Sequence, residues 1–368
     1  MSVLKKIVIR NFRNIELQEV VFSPNLNCIS GGNGEGKTNL LDAIHYLSMT
    51  KSAFGTSDRY NFRHGQSEFA LSGTYLMDNG TESKFSIRAG ADSEKSIRRD
   101  DKAYSKSSEH IGVLPVVLVS PSDISLVCDS GEERRRFVNS VISQMDRAYL
   151  SDLQNYNRLL AQRNLMLRNG TSDAILYDTV DSMISAIASR IFAARTAFAL
   201  ELEPLVRRYY SLISGDSEIV SMEYRSDLQK SDMVNLLKDS RERDLALKYT
   251  SVGIQRDDLV FSMDSYPIRK CGSQGQQKSF VVALKFAQYE IMKSSCGNPP
   301  ILLLDDLFDK LDMNRVQNLL EMVSGSDFGQ IFLTDSNKVR LSSIVDSLTG
   351  DRAYIETAGG IFTRADGQ

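Results

Sequence analysis

Asn25 to Leu41 reads NLNCISGGNGEGKTNLL, and the order of residue types in that stretch sets the fold. Leu26, Cys28 and Ile29 make a short apolar strand pattern. Gly31, Gly32, Asn33, Gly34, Glu35 and Gly36 follow, then Lys37, Thr38 and Asn39, then the helical spacing of Leu40, Leu41, Ile44 and Leu47. Strand, glycine loop and helix in that order are what a phosphate-binding P-loop requires. Glycines at 31, 34 and 36 allow a tight turn whose N–H groups point inward at an anion, and the new helix adds its positive end. Lys37 offers a mobile charge for the β- and γ-phosphates and Thr38 a hydroxyl for Mg2+. As a ligand-facing side chain, Lys37 is expected to be exposed rather than packed. The plainer alternative is a glycine turn capping an ordinary helix. At average glycine usage, G-x-x-x-x-G-K-[ST] arises by chance in about one per cent of chains this long. The flanking strand and helix reduce that further, so the stretch is read as a nucleotide site.

The chain has 368 residues, 42% of them hydrophobic and 25% charged, with 7 Pro, as in a globular protein of two domains or of one domain with an insertion. A net charge of −3 gives no global pull toward nucleic acid, so DNA contact requires a local basic patch. Cys28, Cys128, Cys271 and Cys296 are scattered without a C-x-x-C pair, as are His45, His64 and His110, and neither zinc nor disulfides are indicated. The N-terminus has charges where a signal peptide needs an apolar run. No stretch approaches the ~18 apolar residues of a membrane span, so a cytoplasmic protein without membrane partners is expected.

Strands are expected at 3–9 and 15–22, at Phe69–Met77 and Lys84–Ala89, and in a hairpin turning at Asp100-Asp101. The continuous apolar run Ile111 to Val119 is read as one more buried strand. The text changes at Ser130. From Glu132 to about Arg168 there is no Pro or Gly, and Tyr149, Leu153, Tyr156, Leu160 and Leu167 keep a 4-3 spacing broken only at Arg163. A second helix starts near Ser172 as N-cap and repeats the spacing at Val180, Ile184, Ile187, Ile191, Ala194 and Phe198. Two helices of ~30 residues, each ~45 Å long, make an antiparallel pair with a coiled-coil seam. Packing of their inner halves on the main core is an equal alternative. Met233 to about Arg243 is expected to close this arm.

Ile301–Asp305 is read as a buried strand ending in a carboxylate. Such a strand is expected beside the P-loop strand, with Asp305 holding Mg2+ through water. Asp306 follows directly, placed to act on an attacking water, and Leu311-Asp312 comes after. Simple GTPases keep these motifs far closer together, so the arm must be inserted within the nucleotide-binding fold. Cys271-Gly272-Ser273-Gln274-Gly275-Gln276-Gln277-Lys278 opens a further helix. Either it is a polar N-capped helix, or it is a second phosphate reader, which implies a partner subunit because the chain's own P-loop already holds phosphates.

Over essentially its whole length the chain resembles the RecF family, bacterial recombination ATPases built like the heads of SMC and ABC-type ATPases. The resemblance rests on Leu4, Asn11-Phe12-Arg13-Asn14, GGNGEGKTNLLDAIHYLS, Ser120-Pro121-Ser122-Asp123, the arm opening Gly131 to Phe137, Arg256-Asp257-Asp258-Leu259, GSQGQQKS and LLLDDLFDKLD. It implies an α/β fold: a P-loop ABC/SMC-type head (1–129 and 246–368) with extra β-strands and an inserted helical arm (130–245). Asn33, Gly34, Gly36, Lys37, Thr38 and Asn39 would hold ATP, with Arg13, and Thr38 and Asp305 the Mg2+. Lys37, Asp305 and Asp306 would be catalytic, Asp306 standing where ABC ATPases usually have Glu. Ser273 would touch the γ-phosphate of the opposite subunit, Gln274 and Gly275 would also bind the cofactor, and Asp312 would line the dimer interface. Gly253-Ile254-Gln255 departs from the family's Gly-Pro-His, so no histidine role carries over there.

The resemblance further implies an ATP-dependent homodimer on gapped DNA or single/double-strand junctions, with weak DNA-stimulated ATPase. It would work with RecO and RecR to load RecA. For DNA, Arg134, Arg135, Arg136, Arg158, Arg163, Arg168, Arg207 and Arg208 are as consistent with a duplex-facing surface as with solvated charges paired to Glu132, Glu133, Glu201 and Glu203. An alternative is a nuclease of the overcoming-lysogenisation type with a similar head. Such a nuclease needs clustered acids for two metals, and the remainder after Asp312 has none. A transporter ATPase subunit fits less well, given the two long helices and no companion membrane segment.

Overall fold

The computed structural model describes residues 2–55, 57–171, 173–215, 218–307, 315–319, 328–337 and 351–365. It divides into two compact units: Met1–Asp123 with Leu212–Ser214 and Lys285–Gln368, and Ile124–Ser211 with Gly215–Leu284.

The first unit opens with β1 (Val3–Phe12) and β2 (Ile15–Val21). β3 (Leu26–Ser30) leads through the glycine loop into α1 (Lys37–Met49), and β4 (Glu68–Leu76), β5 (Glu82–Gly90), β6 (Ser96–Arg99), β7 (Lys102–Ala103) and β8 (Val116–Val119) follow. All but β3 and β8 form an antiparallel sheet ordered β2-β1-β4-β5-β6-β7. Its strands alternate buried and open positions, as a sheet covered on one face should. Asp100 and Asp101 carry positive φ of 49° and 63°, which a two-residue β6–β7 turn of this handedness requires. The apolar run from Ile111 yields a strand only at Val116–Val119, because Pro115 has no N–H to give a ladder.

The second unit carries α2 (Ser125–Cys128), α3 (Gly131–Met145), α4 (Arg147–Arg168), α5 (Ala174–Ser214) up to Ser211, β9 (Val220–Arg225), α6 (Met233–Leu247), β10 (Asp258–Met263), β11 (Tyr266–Pro267), α7 (Ile268–Cys271) and α8 (Gln274–Cys296) up to Leu284. The stretch without Gly or Pro is therefore two helices, not one. Asp146 breaks it: its backbone is extended, and its carboxylate accepts from Ala148 N and Tyr149 N at the start of α4, an N-cap. The expected N-cap Ser172 lies outside the described residues; Asp173 accepts from Ile175 N and Leu176 N at the start of the 41-residue α5.

α4 and α5 run antiparallel, tied at Tyr149/Arg195, Asp152/Arg190 and Arg163/Asp181. Arg163 does not interrupt the apolar stripe but occupies it. It is 0% exposed and bonds Asp181 at 2.7 Å, Asp244 of α6 at 2.8 Å and Thr250 at 2.9 Å. A buried guanidinium is tolerable only when its donors are matched in this way. α5 also holds an 18-residue window of mean hydropathy 1.4, long and apolar enough to cross a membrane, where no such stretch was expected. Interspersed serines hide it from a search for an unbroken apolar run. Ile184, Ala188 and Ile191 within α5 are buried, alongside the buried ion pairs of Asp181 and Arg195.

The chain returns to the first unit with β12 (Ile301–Leu304), β13 (Ile331–Asp335), β14 (Arg352–Ala358) and β15 (Ile361–Ala365). The sheet they complete is ordered β15-β14-β3-β13-β12-β8, parallel except for the edge strand β15. β12 is thus not beside the P-loop strand: β13 lies between, pairing Asp335 with Ser30 and Leu333 with Leu304. α1 packs between the two sheets, burying Leu40, Leu41, Ile44 and Leu47 in one core with Ile7, Phe12, Phe69 and Phe332. Each such side chain contributes about 1.5–3 kcal/mol, so the helix that carries Lys37 and Thr38 is fixed from both faces.

Candidate functional site

The site lies at the carboxyl ends of the parallel strands, where open α/β sheets place ligands. β3 is buried at every residue. Beyond it, the crest of the loop (Gly32, Asn33, Gly34) is exposed. Gly36 precedes α1 with φ of 109°, a conformation that side chains rarely adopt. Lys37 is not exposed, contrary to expectation. It is 4% accessible, and its Nζ donates to Gly31 O at 2.8 Å and Gly32 O at 2.9 Å. The lysine curls over its own loop, with those two carbonyls as its acceptors.

Thr38 Oγ1 lies 3.1 and 2.8 Å from the carboxylate oxygens of Asp305. Thr334, at the end of the intervening β13, donates its hydroxyl to Asp305 Oδ1 at 2.7 Å. It accepts from Asp306 N at 3.0 Å. Asp305 is 3% exposed. Burial pushes its carboxyl above the ordinary range, with the charge of Asp306 adding to the effect; the Thr334 and Thr38 hydroxyls and the Lys37 ammonium pull the other way. Asp306 has φ of 42°, a strained setting for a non-glycine residue and one that clusters at working sites.

The oxygens of Thr38 and Asp305 form a hard-donor pair suited to Mg2+, which takes one or two protein oxygens and fills its remaining positions with phosphate and water. Among the described residues there is no group of three His, Cys, Asp or Glu that could hold a metal, and a cation bound with phosphates does not need one.

Asn14, part of the resemblance but without a role in it, touches the loop on one side. It accepts from Asn39 Nδ2 at 2.8 Å and reaches Gly34 O at 3.5 Å. Arg13, expected at the nucleotide, is committed to buried Asp42 at 2.8 Å and to Ser52 at 3.0 Å. Beside Asn14 a wide groove opens, lined by Arg59, Tyr60, Phe62, Arg63 and His64. In sequence that stretch reads only as polar, because its aromatic and basic side chains follow no period. Thr334 is readable in principle: IFLTD repeats the pattern of ILLLD, an apolar strand ending in polar oxygen.

Ser273, Gln274 and Gly275 lie in the second unit at the start of α8. Ser273 Oγ accepts from Gln276 N at 3.2 Å and Gln276 Oε1 accepts from Ser273 N at 2.7 Å, a reciprocal helix cap. Gln276 also donates to Glu218 at 2.8 Å. Within the same unit, the Asp257-Asp258 motif is structural. Asp257 pairs with buried Arg195 and accepts from Tyr224 OH at 2.6 Å, and Asp258 holds Arg134 at 2.7 and 3.0 Å. Gln255 accepts from Tyr156 OH. Of the basic residues considered for DNA, Arg134 and Arg163 are used inside the fold. Arg136 and Arg207 are exposed but paired with glutamates, and Arg158 and Arg168 are exposed. Asp312 lies outside the described residues.

The chain matches the family model of the RecF/RecN/SMC N-terminal domain over residues 3–351. It is 41% identical over 360 residues to the DNA replication and repair protein RecF of Bacteroides thetaiotaomicron, covering 98% of each chain. To RecF of Flavobacterium johnsoniae it is 41% identical over 349 residues, covering 94% of this chain and 97% of that one. A solved structure of the recombination mediator protein RecF-ATP in the RecFOR pathway superposes with a TM-score of 0.89 at 28% identity, covering 99% of this chain and 98% of that one. The Smc head domain of Pyrococcus furiosus superposes with a TM-score of 0.59 at 14% identity, covering 99% of this chain and 96% of that one, a likeness of fold.

Proposed function

We propose that this chain, which belongs to the RecF family, is an ATP-dependent recombination mediator acting in DNA replication and repair. The observation that carries the reading is the junction of Thr38, Asp305 and Thr334 beside a loop covered by Lys37. The β3–α1 loop holds the phosphates of ATP through its amides. Lys37 exchanges the Gly31 and Gly32 carbonyls for the β- and γ-phosphates, and the groove beside Asn14 takes the base and ribose. Thr38 and Asp305 hold Mg2+, which when bound neutralises phosphate charge. Asp306, next in the chain, orients and deprotonates the attacking water, with a slow turnover.

The head comprises 1–129 and 246–368 and the arm 130–245. The cap of α8 at Ser273, with Gln274 and Gly275, faces the γ-phosphate of a second copy, so ATP closes a homodimer and hydrolysis opens it. The dimer engages gapped DNA or single/double-strand junctions in the cytoplasm, with RecO and RecR as partners in loading RecA. α5 is read as an arm helix, because a span in lipid would not carry Asp181 and Arg195 in a protein network. The nuclease alternative has nothing in its favour, since no relative or solved structure named above is a nuclease.

The test is light-scattering mass of the purified chain with MgATP, with MgADP, and with gapped or uniform duplex DNA. A dimer with MgATP that is favoured further by gapped DNA is the expected result. A chain that stays monomeric under every condition and binds no MgATP would overturn the reading.

A further inference from the structure

The β14–β15 hairpin holds the P-loop through Glu35. The carbonyl of Glu35 accepts from Gly360 N at 3.0 Å and from Thr357 Oγ1 at 2.9 Å, and its carboxylate accepts from Gly359 N. All three donors belong to the end of β14 and the β14–β15 turn. The approach is close on both sides. A Cβ at Gly31 would stand 2.5 Å from Thr357 O, and one at Gly360, whose φ is 82°, would stand 2.6 Å from Asn14 O. Asn14 in turn contacts Asn39 and Gly34. The loop therefore meets two turns, β1–β2 and β14–β15, that are distant in sequence and touch each other.

We propose that the Thr357–Gly360 turn is a working part of the nucleotide site, and that Glu35 is the positioning residue through which it keeps the P-loop in its anion-ready shape. This rests on the nucleotide reading above. An unbraced glycine loop samples many backbone states, and its apparent affinity falls in proportion to the fraction that remains competent. The carboxylate also has to be anchored. Glu35 sits on a loop that receives phosphate, and the Gly359 amide fixes its negative charge at a defined place.

Because the brace acts on the empty loop, its loss raises the dissociation constant for ATP and leaves turnover of bound ATP nearly unchanged. A role confined to general stability would not separate those two quantities.

The experiment uses the full chain and titrates MgATP with a fluorescent analogue as probe, alongside hydrolysis at saturating ATP and the unfolding midpoint without nucleotide. Glu35→Ala should raise the dissociation constant about tenfold, and Glu35→Gln, which keeps an acceptor, by no more than about threefold. Thr357→Val should weaken binding in the same direction as Glu35→Ala. Ile361→Ala, at an exposed position in the same hairpin, should bind as the parent does. Folded Glu35→Ala and Thr357→Val variants that both bind as tightly as the parent overturn the brace alone, provided Lys37→Ala has lost binding. A parent chain that binds no MgATP overturns the nucleotide reading and the brace with it.

Discussion

Thr38 and Asp305 are 267 positions apart in sequence, yet the threonine hydroxyl lies 2.8 Å from one carboxylate oxygen. One residue begins the P-loop helix and the other ends a strand two places away in the sheet. The approach is possible because β13 lies between them and ends in Thr334, whose hydroxyl completes the carboxylate's hydrogen bonds. Helix start, interposed strand and acidic strand end thus form one polar junction.

Lys37→Ala should lower affinity for MgATP by about a hundredfold, the effect expected when a charged partner of phosphate is removed. Because Lys37 is buried against two carbonyls, the variant should also lose about 1 kcal/mol of stability, less than the fold can tolerate. Far-ultraviolet circular dichroism during melting and nucleotide titration check both parts. Unchanged affinity would remove the lysine from the site.

Asp305→Asn and Asp306→Asn should separate. Weakening the Mg2+ ligand should prevent ATP-driven dimerisation, whereas Asp306→Asn should bind ATP, close and stay closed, with hydrolysis slowed about a hundredfold or more. Sizing each variant with MgATP over time reads the difference. Turnover by Asp306→Asn at the parent rate would place the base elsewhere.

Ser273 should act in trans. Ser273→Arg and Lys37→Ala should each fail alone, and mixing them should restore part of the ATPase through one intact composite site. Ser273 also caps α8, and losing a cap costs about 1 kcal/mol, so Ser273→Ala serves as the control for stability. Absence of recovery between variants that bind each other counts against a shared site.

DNA binding should be electrostatic, with log K linear in log salt and little sequence preference. Replacing Arg158, Arg168 and Arg207 with alanine should flatten the slope by ~0.9 for each phosphate that is no longer neutralised. Arg163→Ala should instead unfold the arm, since it strands Asp181 and Asp244 in the interior. Titrations at several salt concentrations, with melting of each variant, test both statements.

His110 gives the fold a dependence on acid. Its ring is fully buried between Phe85 and Tyr104, with Nε2 donating to Leu47 O at 2.6 Å. Burial, aided by Arg99, lowers its pKa from the ordinary 6.5, against the pull of the Leu47 carbonyl. The unfolded chain therefore takes up a proton near pH 6.5 that the folded chain refuses. Stability is full above that value and falls as pH drops toward the folded pKa, by up to about 1.4 kcal/mol per unit. The unfolding midpoint should drop between pH 7.5 and 5.5, and drop less in His110→Gln.

What the sequence disclosed follows from how local each signal is. The P-loop is legible because its glycines, Lys37 and Thr38 are adjacent and each answers to one need of a phosphate. Asp305 could be found because an apolar run ending in acid is also local. The insertion of β13 was not legible: parallel strands pair across long separations, and nothing in IFLTD states its neighbour. Arg163 looks like an interruption because one residue's pattern cannot reveal that Asp181 and Asp244 await it. The break at Asp146 carries its signal, an Asp at a helix start, but without Gly or Pro the run reads as continuous. Ser273 and its neighbours are found by type; that Ser273 caps α8 through Gln276 required the structure.

The order in which the chain is made gives the sheet a further meaning. β3 and the glycine loop are synthesised well before both strands that hydrogen-bond to β3 and before the turn that grips Glu35. A chain synthesised only as far as β12 would carry the P-loop motif on a strand with two bare edges, a form open to mispairing and proteolysis. Nucleotide binding thus becomes available only once β13, β14 and the β14–β15 turn have joined the sheet, and ATP would favour molecules that have reached that state by stabilising it.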